Sequence, residues 1–197
     1  MLITYFSPFI LQALKTIKPT TIIGVSGAAG SFSREVLEEM ASINERPIVF
    51  ALSNPTSKSE CSAKQAYCWT EGRAVFASGS PFDPVDFDGH TFVPGQGNNA
   101  YIFPGVGLGA IASRATQVTD EMFFAAARTL ADEVSDADLA LGRIYPSLTQ
   151  IRDVSATIAQ AVAEIAFEKG YAREERPEDL GAFIRSRMFE PRYKDYV

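Results

Sequence analysis

The sequence predicts an α/β fold: one half of a doubly wound parallel sheet with flanking helices, followed by a helical C-terminal layer. Three observations carry this. Short apolar or β-branched runs alternate with amphipathic stretches between residues 20 and 80; each run stops at glycine, Asn-Pro or Gly-Ser-Pro; the rest of the chain is dominated by helical patterning. The run TTIIGV, ending at Val25, meets glycines and reads as a buried strand entering a turn. Phe32 to Ser42 then places Val36, Leu37 and Met40 on one stripe, an amphipathic helix. Pro47 opens a second strand, PIVFALS, apolar nearly throughout and so expected to be covered on both faces. It stops at Asn54-Pro55. Ser62-Ala-Lys-Gln65 has the form of a capping box opening a helix through Trp69. Ala74 to Ser78 makes a third strand, and Asp86 to Val93 a small hairpin turning at Asp88-Gly89. Val106–Ala115, Asp120–Val134 and Ile151–Lys169 read as helices. The charged, proline-punctuated segment from Arg173 is expected to wrap the surface or a partner subunit.

Bulk properties narrow the functional classes. A chain of 197 residues, 46% hydrophobic and 21% charged, suits one well-packed domain. A net charge of -6 argues against nucleic acid, whose binders carry a basic face. Cys61 and Cys68 form no disulfide framework and suit reduced thiols in an intracellular protein; with a single His they make no zinc set. The opening MLITYFSPFILQAL lacks a basic leader and a small-residue cleavage site, so no signal peptide is expected. Pro8 and Gln12 break it too early for a membrane span.

Three loops follow the three strands, and ligands of open α/β sheets bind beyond the carboxyl ends of strands. The first, Gly24-Val-Ser-Gly-Ala-Ala-Gly30, lets a ligand approach the backbone, and the N-terminus of the next helix is expected to offer free amides to an anion; a tight turn made for packing explains the loop as well. Its glycines do not form G-x-G-x-x-G, and no acidic residue ends the second strand to hold a ribose. In the second, Ser53-Asn54-Pro55-Thr56, a carboxamide at a strand end can point into the crevice, or close an Asx-type turn on itself. The third, Gly95 to Gly105, carries Asn98 and Asn99 side by side without nearby charge, which suits recognition of an amide and a carboxylate together. His90, the trio Asp83, Asp86 and Asp88, and the acidic stretch Glu174, Glu175, Glu178 and Asp179 read as solvated residues.

Taken together, IKPTTIIGVSGAAGSF, NERPIVFALSNPTSKSECSAKQAY, GRAVFASGSPFDPV and VPGQGNNAYIFPGVGLG resemble the malic enzyme family, in its order and with compatible spacing. The resemblance runs from Leu11 to the C-terminus, including GRIYPSLTQIRDVS and MFEPRYKDYV, and leaves residues 1–10 as a leader unlike the family. It implies that residues 11–197 are the C-terminal portion of the family's NAD(P)-binding domain, a partial Rossmann-like sheet. It implies an NAD(P)-dependent, oxaloacetate-decarboxylating malate dehydrogenase, converting L-malate to pyruvate and carbon dioxide with NAD or NADP and Mg²⁺ or Mn²⁺. A homo-oligomer is implied for the full-length member. By the family's motifs, Asn54, Asn98 and Asn99 are expected at the substrate, and Val25, Ser26, Asn54 and Asn99 at the dinucleotide. The family's catalytic Tyr and Lys, its metal-binding acidic residues and its G-x-G-x-x-G fingerprint have no counterpart in these residues. The polypeptide by itself is therefore expected to lack turnover. A nucleotide-binding or subunit-docking module without catalysis is the alternative.

Overall fold

The structure, a computed structural model, describes residues 7–190. The chain divides into two compact units, Met1–Asn98 with Val134–Tyr145, and Asn99–Glu133 with Pro146–Val197.

The first unit is built on four parallel strands in the order β1 (Thr21–Gly24), β2 (Ile48–Ala51), β3 (Val75–Ser78) and β6 (Gly95–Gln96). Successive strands are neighbours, so every connection steps the same way, and helices α1 (Ser7–Ile17), α2 (Arg34–Ile43) and α3 (Ala63–Trp69) share one core. Alternation along each strand decides which side chains meet that core. Ile22, Val49 and Phe76 stand in register and are buried beneath Leu14, Leu37, Met40 and Tyr67. The opposite row is not sealed: Ile23 is 59% exposed, and Ile48 and Phe50 are only half-buried. The expectation that PIVFALS is covered on both faces fails here, because an apolar run reports hydrophobicity on both sides and not the presence of a second layer.

Local chemistry explains the element ends. Ser62 caps α3 by accepting from Gln65 N while the Gln65 side chain accepts from Ser62 N, so the expected capping box forms. The hairpin of β4 (Val85–Phe87) and β5 (His90–Phe92) turns at Asp88 (φ 49°) and Gly89 (φ 76°), the double left-handed geometry that Asp-Gly favours. The pairing of β6 with β3 spans only two residues, too short to leave a periodic signal, so the sequence predicts loop there. The segment Val134–Tyr145, which holds α6 (Asp136–Ala140), returns to this unit: Val93 N donates to Leu141 O at 2.8 Å, and Gly95 lies under Tyr145 and Ile144.

The second unit is helical. α4 (Phe103–Ala112) packs on α7 (Ile151–Glu168), which also meets α5 (Asp120–Asp132) and α8 (Leu180–Ser186). α4 starts three residues earlier than its periodicity suggests, because Pro104 is tolerated in a first turn where no N–H is needed. Tyr101, buried, donates its hydroxyl to Pro146 O at 2.6 Å. Asp179 is a cap as well as a surface acid, accepting from Ala182 N at 2.8 Å to start α8. Among the described residues, no helix is long and apolar enough to cross a membrane.

Candidate functional site

The loops after β1, β2, β3 and β6 are tied to one another at the carboxyl rim of the sheet. The β1 and β2 loops meet through Glu60, a fully buried side chain. Its Oε1 accepts from Ser26 N (3.1 Å), Ser26 Oγ (3.2 Å) and Ser53 Oγ (2.5 Å), and its Oε2 from Ser53 N (3.4 Å). Ser53 Oγ accepts in turn from Gly27 N at 2.8 Å. The β2 and β3 loops meet where the Ser80 hydroxyl donates to the Asn54 carboxamide oxygen, and the Asn54–Pro55 peptide is cis. Gly79 has no room for a side chain: a Cβ there would stand 2.1 Å from Leu52 O and 3.0 Å from Asn54 Nδ2. The β6 end joins through Gly97 N to Ser78 O (2.8 Å) and Gln96 Nε2 to Gly79 O (3.2 Å).

This network also occupies amides of the glycine loop. Ser26 N is taken by Glu60, Gly27 N by Ser53, Ala28 N by Ser26 Oγ at 3.2 Å, and Gly30 N by Ser59 O at 3.1 Å. With these four amides committed and an acidic side chain behind them, the loop is poorly suited to cradle an anion. Beside it opens a cleft of about 400 Å³, lined mainly by Ile10, Ile23, Val25 and Phe32, with Ser26, Ser31 and Glu60 as polar members. Ser31 is 4% exposed, and its hydroxyl has no hydrogen-bond partner among the described residues.

Of the residues singled out from sequence, Val25 and Ser26 are exposed on the β1 loop, and Asn54 is exposed with its carbonyl oxygen fixed by Ser80. Asn98, half-buried, ends the first unit just beyond β6. Asn99 is exposed and opens a 3-10 turn, Asn99–Tyr101, that belongs to the second unit. Sequence reasoning missed Glu60, Ser53, Ser31 and Ser80. Glu60 had one available signal, an acidic residue wedged between Ser59 and Cys61 directly before a capped helix. Burial pushes the neighbouring Cys61 thiol up to about 12, and the nearby Glu60 adds to the effect. His90 is exposed beside Asp88 O.

Four parallel strands in sequential order, with helices on one face and their loops meeting at the carboxyl rim, define a Rossmann-like nucleotide-binding α/β unit. The match to known proteins is more specific. The chain belongs to the malic enzyme family: residues 7–167 match the family model described as "Malic enzyme, NAD binding domain". It is 55% identical over 190 residues to an NADP-dependent malic enzyme of Dictyostelium discoideum, covering 96% of this chain and 35% of that protein. An NADP-dependent malic enzyme of Phaseolus vulgaris is 55% identical over 188 residues, with 95% and 32% covered. Among solved structures, the malic enzyme of Pyrococcus horikoshii Ot3 superposes with a TM-score of 0.67 at 30% identity, covering 90% of this chain and 35% of that one. That of Entamoeba histolytica gives 0.71 at 26% identity, with 90% and 33% covered. The chain thus spans about a third of the length of the curated relatives it matches.

Proposed function

We propose that this chain supplies the dinucleotide-binding domain and part of the substrate site of a malic enzyme, which oxidises and decarboxylates L-malate to pyruvate and carbon dioxide. The reading is carried by one observation: four strand-end loops bonded together at a single rim, with the Asn54 carboxamide fixed at its edge. NADP is the proposed nucleotide, since the relatives are NADP-dependent malic enzymes. When bound, the nucleotide would supply the hydride acceptor. Val25 and Ser26 would border the nucleotide. Asn54, Asn98 and Asn99 would present carboxamides, able both to donate and to accept, to malate and to the nicotinamide amide. The Ser80 bond to its oxygen leaves the Asn54 NH₂ as the group to offer.

The resemblance also implies a divalent cation. No group of three His, Cys, Asp or Glu among the described residues stands ready to hold one, so these residues do not fit the metal and no step is routed through it. Two free cysteines are consistent with an intracellular compartment, and assembly into a homo-oligomer belongs to the same proposal. The test is direct: these 197 residues are titrated with NADP⁺ and separately incubated with L-malate, NADP⁺ and Mn²⁺. Binding without pyruvate is expected. Absence of nucleotide binding overturns the proposal, and turnover by this polypeptide overturns the assignment of catalysis to residues outside it.

A further inference from the structure

A second cavity lies at the amino ends of β2 and β3, the end of the sheet opposite the rim of strand-end loops. It holds about 520 Å³ and belongs wholly to the first unit. Arg46 stands just before β2, Arg73 just before β3, and Leu139 and Ile144 of the returning segment close the far side. Among the described residues, the two guanidiniums are the charged groups of the lining, and no carboxylate takes part in it. Arg73 is held in place: its Nη1 donates to Asn44 O (2.9 Å) and Glu45 O (3.2 Å). Carbonyl acceptors orient a guanidinium and leave its positive charge intact. The carboxylate that approaches it, Glu71, stands 3.8 Å from Nη2 and is 82% exposed, a pair worth little in water. Arg46, exposed, enters no ion pair among the described residues. In a chain of net charge -6, this makes a local positive field that the overall charge hides. The facing wall is apolar and fixed. Phe92 stacks on buried Tyr67 with ring centroids 4.4 Å apart. Glycines flank its ring: a Cβ at Gly72 would stand 3.3 Å from Phe92 Cζ, and one at Gly142 3.2 Å from its Cδ1. Both glycines have positive φ (73° and 72°), which keeps side chains out of the space around the ring.

A positive edge and an apolar wall in one cavity select a ligand with an anionic end and a flat apolar body. We propose that this cavity binds a small organic anion, a carboxylate or phosphate carried on an aromatic group, with the anion at Arg46 and Arg73 and the ring against Phe92. The space is of the size that small-molecule sites occupy, about 300–1,000 Å³. The site lies at the other end of the strands from Asn54 and the loops around it, so the inference rests on no reading of the dinucleotide and leaves that rim free.

Calorimetry on the whole 197-residue chain tests this with benzoate and phenyl phosphate as probes. Benzyl alcohol supplies the ring without the charge, and inorganic phosphate the charge without the ring. The aromatic anions bind, and each control is weaker by at least about tenfold, the loss expected when a charge-assisted hydrogen bond or a buried ring is removed. The tighter of the two anions tells a carboxylate site from a phosphate site, and added salt weakens both. Arg46→Glu, at an exposed position, weakens the anions at least about tenfold and leaves benzyl alcohol unchanged. No binding of either anion at millimolar concentration overturns the proposal. So does benzyl alcohol binding as tightly as the anions, or an Arg46→Glu protein that binds them as wild type does. Should Arg46→Glu fail to fold, Leu139→Asp, 51% exposed, sets a negative charge in the same lining and must weaken the anions likewise.

Discussion

Replacing Gly107 and Gly109 by alanine, two positions apart on α4, is expected to move stability in opposite directions. Both sit inside a helix, where Ala is intrinsically better than Gly by about 1 kcal/mol. They differ in what an added methyl meets. At Gly107 there is nothing within 4 Å. At Gly109 the new Cβ would lie 2.5 Å from Ala159 O, 2.9 Å from Val162 Cβ and 3.1 Å from Ala159 Cα. Two of these three are backbone atoms of α7, so no rotamer change relieves the contact; the helices must separate along the interface where Gly105 also lies against Ile158. Forced overpacking costs about 1–3 kcal/mol, and a backbone clash belongs near the top of that range. Subtracting the propensity gain leaves Gly109→Ala destabilised by about 2 kcal/mol and Gly107→Ala stabilised by about 0.5–1 kcal/mol. With a urea slope of about 2 kcal/mol/M, the midpoints of the two variants should lie more than about 1 M apart. Far-UV circular dichroism during urea unfolding reads this out. A Gly109→Ala protein as stable as wild type would refute the idea that α4 and α7 touch backbone to backbone.

Three further outcomes follow from described contacts. Thr70 accepts from Ala74 N (3.1 Å) and donates to Ala66 O (2.7 Å) while fully buried, so Thr70→Val orphans a buried N–H and should cost about 1–3 kcal/mol in thermal or chemical unfolding. Gly79→Ala puts a methyl on Leu52 O and should displace the Asn54 loop; nucleotide affinity is expected to fall at least about tenfold, while the helical unit keeps its circular dichroism. The buried Cys61 thiol, pushed up to about 12, should resist thiol reagents in the native state at pH 8, whereas half-buried Cys68 reacts. Because its proton is held more tightly folded than unfolded, Cys61's contribution to stability is complete below its ordinary value near 9.0 and declines as pH rises towards 12. Unfolding free energies across that window, in wild type and Cys61→Ser, provide the check.

Much of this was legible in the residues. Period and punctuation located the first three strands, and each lies within its expected run; the Ser62–Gln65 cap and the Asp88-Gly89 turn are local chemistry that needs no tertiary partner. What was hidden depends on distant pairs. Whether the amides of Ser26 and Gly27 are free cannot be read from glycine spacing when their acceptors sit at Glu60 and Ser53. A two-residue strand such as β6 has no periodicity to detect. The coverage of PIVFALS failed for a related reason, since alternation is invisible in a run that is apolar at every position. The split between Asn98 and Asn99 is a matter of which contacts the chain makes later, and two adjacent asparagines carry no trace of it.

The unsealed side of the parallel sheet has a practical corollary. Ile23 stands beside half-buried Phe50 in register, and with Val25, 74% exposed, leaves apolar surface open to water. Solutions of the chain should brighten a dye such as anilinonaphthalene sulfonate without any denaturant, and cloud as ammonium sulfate is added. A mild non-ionic detergent, or Ile23→Thr, should keep concentrated samples clear, a useful first choice for anyone preparing the chain for spectroscopy.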